Sequence, residues 1–320
     1  CLEVGDLGSG LSLLDSGDAD VLAVPASVIH GRRLEILQAG LEIVGARTPQ
    51  RPYSILVSDN KLQYQPKSAI ILCGQKLVRR QLRRARKGIR ILDPGAYSAI
   101  SGKEAPPGDP VSSVRWMEEL RDSGEIDGFV TQRGIYEEAG LVSRRHSLLP
   151  DPQNAGEPRF LPLPYSDLIV LIARRMFPAS ISEQISEKEG ETSWWVHDNL
   201  IGSLDEDMLD KTGILVRHRQ VRSLIKQAEN TRDLVLEQVC QNPEGEVIED
   251  EVHVEFRIEF VSKNGKKTVG LHRVVRYSDF ERATIASLRD WEILLKETSR
   301  DVPKDYETDP DTPSFITLED

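Results

Sequence analysis

Apolar residues gather into short uninterrupted runs along the first half of the chain, at 20–24, 41–44, 53–57, 68–72, 89–92 and 126–130. Runs of that length suit strands covered on both faces, as in sheets with crossover connections. Helical spacing fills the gaps. A helix is expected from near Lys76 to Gly88, another carries Val114, Met117 and Leu120 on one face, and a third spans 134–141. Strands alternating with helices predict α/β architecture. Residues 58–61 form a polar break, 93–95 a turn, 102–110 a Gly/Pro loop and 150–163 a proline-rich connector. One more buried run, 166–172, comes late enough to return to the first sheet. That return would give two lobes joined by two crossings, with a cleft between them.

The last third is patterned differently. Val221, Leu224, Ile225 and Ala228 mark an amphipathic helix. Val252, Val254, Phe256, Ile258 and Phe260 alternate with His253, Glu255, Arg257 and Glu259, which predicts a strand with one wet face. Asn264-Gly265 is a hairpin signal, and 268–275 supplies the partner strand. Ser278 and Glu281 have capping-box spacing before a helix through Ile285, Leu288, Trp291 and Leu295. Phe256, Ile258 and Phe260 are expected to face that helix. From 298 onward the chain is acidic and proline-containing, the composition of a disordered tail.

Composition narrows the function classes. Of 320 residues, 39% are hydrophobic and 29% charged, an ordinary globular mix. No apolar run reaches the roughly 18 residues of a membrane span, so no membrane partner is expected. The net charge of −11 argues against nucleic acid as a partner. Cys1, Cys73 and Cys240 have no paired spacing, which fits a reducing cytoplasm better than a disulfide framework. The opening at Cys1 reads as a fragment or processed chain, and the protein is expected to be monomeric. The histidines lack ligand spacing, so no metal site is expected. Trp194-Trp195 reads as a packing patch. No phosphate-binding loop, dinucleotide fingerprint or nucleophile elbow occurs.

One segment stands out. Residues 76–90 carry Lys76, Arg79, Arg80, Arg83, Arg84, Arg86, Lys87 and Arg90 inside an acidic protein. Like charges at helical spacing repel unless anions or acidic neighbours offset them. Its sequence, Gly74-Gln75-Lys76-Leu77-Val78-Arg79-Arg80-Gln81, resembles the substrate-binding element of the hydroxymethylbilane synthase (porphobilinogen deaminase) family. Residues 16–24, 124–130 with 139–141, 160–164, and Glu191-Thr192 resemble further family segments in the same order, thinly covering 10–205.

The resemblance implies an α/β fold of two periplasmic-binding-protein-like lobes with doubly wound sheets plus a C-terminal α+β domain. The expected division is 1–60 with 164–185 for an N-terminally incomplete first lobe, 64–160 for the second, 205–297 for the C-terminal domain and 298–320 for the tail. It implies a transferase of tetrapyrrole (porphyrin) biosynthesis that condenses porphobilinogen into hydroxymethylbilane with loss of ammonia. Substrate binding would fall to Arg79, Arg80, Lys76 and Gln75, with Arg83, Arg84, Arg86 and Lys87 on the outer helix. The chemistry does not transfer with the pattern. Ser27 and Val28 stand where the family has a lysine and its catalytic aspartate, so no catalytic residue is assigned. Met208 stands at the cysteine that holds the dipyrromethane cofactor, and Cys240 is a weak substitute, so that cofactor is expected to be absent. Two readings remain: a rearranged enzyme, or a degenerate relative that only binds a polycarboxylate such as porphobilinogen or a linear tetrapyrrole in the interlobe cleft.

Overall fold

The computed structural model describes residues 2–151, 158–202, 204–241, 245–248 and 250–299. Among the described residues, eleven strands form three sheets. The protein is α/β: two lobes, each a sheet with its own helices, are followed by a C-terminal unit of antiparallel sheet and helices. The expected 298–320 tail lies almost wholly outside the described residues.

The first sheet holds β1 (Val21–Pro25), β2 (Leu41–Arg47) and β8 (Ile169–Arg174) in the order β1-β8-β2. The late strand returns as expected, pairing with β1 from Val21↔Ala173 to Pro25↔Ile169. Both neighbours run antiparallel to it, so this sheet is not the parallel one that the alternation predicts. Helices α1 (Leu7–Ser16) and α2 (Arg33–Gln38) belong to this lobe. Asp6 caps α1 by accepting from the Ser9 amide, as an N-cap aspartate should.

The second sheet has the order β5-β4-β6-β3-β7. It comprises β3 (Ser54–Val57), β4 (Ile70–Cys73), β5 (Arg90–Leu92), β6 (Gly128–Gln132) and β7 (Arg145–Ser147). The pairs of β4 are parallel and those of β3 antiparallel. Its helices are α3 (Lys76–Ala85), α4 (Pro94–Ser101), α5 (Pro110–Asp122) and α6 (Arg133–Glu138). The turn expected at 93–95 is instead a helix start, with the Asp93 carboxylate accepting from the Gly95 amide. Separate apolar cores line the sheet, one around Phe129, Tyr136 and Met117, the other around Ile71, Leu82 and Phe160.

After α7 (Ala179–Ile185), α8 (Lys188–Ile201) and α9 (Glu206–Leu209), the third sheet has the order β11-β10-β9. Its strands are β9 (Thr212–Gln220), β10 (Val252–Val261) and β11 (Thr268–Arg276), all antiparallel. Helices α10 (Val221–Thr231) and α11 (Leu234–Val239) precede β10, and α12 (Phe280–Ser299) closes the unit. The expected hairpin is present, with Val261↔Thr268 nearest its turn. Phe256 and Ile258 are buried in one cluster with Trp291 of α12, and Phe260 packs against it. The capping box is not formed: residues 277–279 make a 3-10 turn, and the Ser278 hydroxyl donates to Asp279.

Helix α8 joins the first and third sheets. Its Val196, Leu200 and Ile201 share a core with Val170 and Ile172 on one side and Phe256 and Ile258 on the other. Gly190 permits this approach, because a Cβ there would lie 2.6 Å from the Arg47 carbonyl carbon and 2.7 Å from the Ala46 oxygen.

Candidate functional site

The polar face of β10 is not wet. His253, Glu255, Arg257 and Glu259 are all buried. Alternation identifies two chemically different faces, but does not say what covers the polar one. Here α11 and the basic helix α3 cover it. The His253 ring bonds to the Val239 carbonyl at 3.0 Å. Glu259 accepts from Arg84 at 2.9 Å and from the Gln81 amide at 2.8 Å.

This docking accounts for much of α3. The Gln81 side chain also reaches the Leu161 carbonyl, and Arg84 reaches that of Arg159. Arg80 donates to the Val261 carbonyl at 2.6 Å, and its guanidinium lies 6.0 Å from the Phe260 ring. Burial lowers its pKa from the ordinary arginine value. Arg79 turns the other way, donating to the carbonyls of Cys73 and Gly74 and to Asp93 at 2.7 Å. Lys76 pairs with Asp210 at 2.9 Å, which raises its pKa. The Gln75 side chain accepts from Ser54 at 3.1 Å. Thus the four residues that the resemblance assigned to a substrate all bond to other parts of the chain.

Of the remaining expected positions, Cys73 adjoins α3, sharing a core cluster with Val78 and Leu82. Ser27 and Val28 fall in a 3-10 turn after β1. Met208 lies in α9, its amide donating to the capping Asp205. Cys240 is buried at the end of α11, and Cys73 is buried at the end of β4. Burial pushes the Cys73 thiol up to about 12, which leaves it protonated and a poor nucleophile.

Beside the α3 docking contact, Glu255 anchors an ion network. One carboxylate oxygen accepts from Arg217 and Arg219, each at 2.7 Å. The other contacts Arg257 at 2.5 Å and accepts from His272 at 2.9 Å. Asp151 takes a second share of Arg217 and Arg257. Burial by itself would raise the Glu255 pKa. The His272 hydrogen bond and the charges of Arg217 and Arg257 outweigh it and hold the carboxyl well below the usual range. Burial opposes the charge on Arg217, but Glu255 and Asp151 keep its pKa above the ordinary value.

Adjoining this network is a pocket of about 180 Å³ between the lobe connections, α8 and β9. Its polar lining includes Tyr53, Ser193, His197, Glu189, Arg217 and His218. The Ser193 hydroxyl is buried without a hydrogen-bond partner. Nδ1 of His197 lies 2.7 Å from the Ser193 carbonyl, so it must carry the proton and leave Nε2 as an acceptor. Burial pushes the His197 pKa down to about 4, so the ring is neutral at physiological pH. Burial raises the pKa of the Tyr53 phenol, keeping it a donor. Glu189 accepts from the His218 amide at 2.9 Å. None of these six residues was singled out as a ligand contact from sequence, and β9 itself was missed. The available signal was a cluster of cations at 217–219 that would pair across a sheet with the charges of 253–259.

No protein-family model matches the chain, and no curated protein matches it. Solved structures do. A periplasmic substrate-binding protein of an ABC transporter from Coxiella burnetii aligns at 12% identity over 62% of this chain and 82% of its own, with a TM-score of 0.28. The periplasmic aliphatic sulphonate binding protein SsuA from Escherichia coli aligns at 17% identity over 70% and 65%, with a TM-score of 0.28. A YaeC-family lipoprotein from Enterococcus faecalis aligns at 12% identity over 59% and 80%, with a TM-score of 0.32. These matches replace the resemblance to hydroxymethylbilane synthase, which is corrected. The porphobilinogen-condensing transferase activity and the role in porphyrin biosynthesis fall with it. So does the cytoplasmic location, since the matched proteins are described as periplasmic or as lipoproteins.

Proposed function

We propose that the protein binds a small polar molecule without transforming it, in the pocket between the lobe connections, α8 and β9. The observation supporting this reading is Ser193, a pocket-lining residue whose buried hydroxyl has no partner. Burying such a group without a hydrogen bond costs about 1–3 kcal/mol, a cost that a ligand would remove. Tyr53 adds a donor and neutral His197 an acceptor. The lining also carries charges of both signs, Glu189 and Arg217. A zwitterion therefore suits it better than a polycarboxylate, and nothing in the lining calls for a pyrrole. The matched substrate-binding proteins belong to the same broad class of small-ligand binders.

Calorimetric titration of the protein with L-amino acids, short dicarboxylates and polyamines tests the reading. A saturable amino-acid response is expected, weakened about fivefold or more in Ser193→Ala, the loss of about one hydrogen bond. No response from the whole panel, or turnover of a bound compound, would overturn it.

A further inference from the structure

The basic helix has a second, unneutralised side. Arg83, Arg86 and Lys87 at its end face Lys263, Lys266 and Lys267 of the β10–β11 turn across an open notch of about 840 Å³. Gly88, Ile89, Ser262 and Asn264 complete the lining, which contains no carboxylate. The nearby acids are held elsewhere: Glu259 by Arg84, Asp93 by Arg79 and Asp210 by Lys76.

The two arginines are aimed by carbonyls rather than paired with acids. Arg83 donates to the carbonyls of Lys263 at 2.9 Å and Ile91 at 3.3 Å, and Arg86 donates to that of Gln65 at 3.0 Å. Their positions are thus fixed while their charge is left uncancelled. The Arg86 Nε is buried with no partner. The turn is held against α3 by close backbone contact. A Cβ on Gly265, whose φ is +72°, would lie 2.7 Å from the Arg84 nitrogen and 2.8 Å from the Arg80 oxygen. Two like-charged elements, distant in sequence, are therefore pressed together, which costs free energy unless an anion lies between them.

We infer that this notch binds a multivalent phosphate, with the guanidiniums of Arg83 and Arg86 and the ammonium groups of the lysines as its donors. Guanidinium planes match phosphate oxygens in pairs, and lysines supply point charge around them. This site is separate from the Ser193 pocket and does not depend on it.

Calorimetric titration of the full chain with sodium tripolyphosphate at low salt tests the inference, with ATP as a second arm. Saturable one-to-one binding is expected, weakened by added salt. Equal affinity for ATP assigns the site to the phosphate chain alone, and tighter ATP binding assigns it to a nucleotide. Lys266→Glu with Lys267→Glu should weaken tripolyphosphate about tenfold or more. Arg282→Glu, at an exposed cation remote from the notch, should leave it unchanged. Should the charge reversal unfold the turn, as judged by circular dichroism, Lys266→Gln with Lys267→Gln provides the same test. Absence of saturable binding, or equal losses from Arg282→Glu and the notch variants, would overturn the site.

Discussion

Two groups of cations flank the polar side of the third sheet, and they are treated oppositely. Arg217, Arg219 and Arg257 converge on one buried carboxylate, Glu255, with Asp151 sharing the load. Arg83, Arg86 and Lys87 face three lysines across an open notch without an acid in its lining. Residue type is almost the same in both places. What differs is access to water. A buried charge needs a partner inside the protein, because desolvation otherwise costs several kcal/mol. A charge at an open notch keeps its hydration and can wait for a partner from solution. The comparison also explains α3, whose inward residues are consumed in docking while the end of the helix retains free charge.

The sharpest way to break the comparison is Glu255→Gln. Arg217 and Arg257 would then share Asp151 and Arg219 would lose the carboxylate it pairs with, at a loss of about 3–5 kcal/mol of stability, read from urea unfolding. Equal stability of the variant would mean that the network carries no net pairing energy.

Acidification should separate the two groups more gently. The folded-state pKa of Glu255 is depressed below the unfolded value of about 4.3. Its contribution is therefore complete above that pH and is lost as pH falls below it toward the folded-state value. Unfolding free energy measured across this range should decline less steeply in Glu255→Gln than in the native protein. Neutralising notch lysines should leave that slope unchanged, since it belongs to Glu255.

The smallest effect belongs to the notch itself. Lys266→Gln with Lys267→Gln should stabilise the protein by at most about 1 kcal/mol at low salt, and the gain should vanish at high salt. Thermal melts at two ionic strengths check this. Destabilisation at low salt would show that the lysines are held by attraction rather than tolerated in repulsion.

Much of the local structure is legible in the residues. Apolar runs marked the strands, the late run at 166–172 announced the return of β8 to β1, and Asn264-Gly265 placed the hairpin. The position of Trp291 behind Phe256 and Ile258 follows from helical and strand periods alone. β7 is too short to leave a pattern, and β9 escaped because its apolar start gives way to Arg217, His218 and Arg219. Strand direction within the first sheet was also hidden, since a run of buried residues reads the same parallel or antiparallel.

The sequence by itself determined the α/β class, the second crossing between lobes and the presence of an unusually basic helix. Only the tertiary structure decided what that helix touches. Arg79, Arg80 and Arg84 bond to Asp93, Val261 and Glu259, while Arg83 and Arg86 are left with carbonyl partners beside a row of lysines. The physical reason is that helical spacing specifies which residues share a face, whereas the partner of a face comes from segments as far as 184 residues away along the chain. Charge in particular has no meaning for function until burial and neighbours have set which part of it is already neutralised.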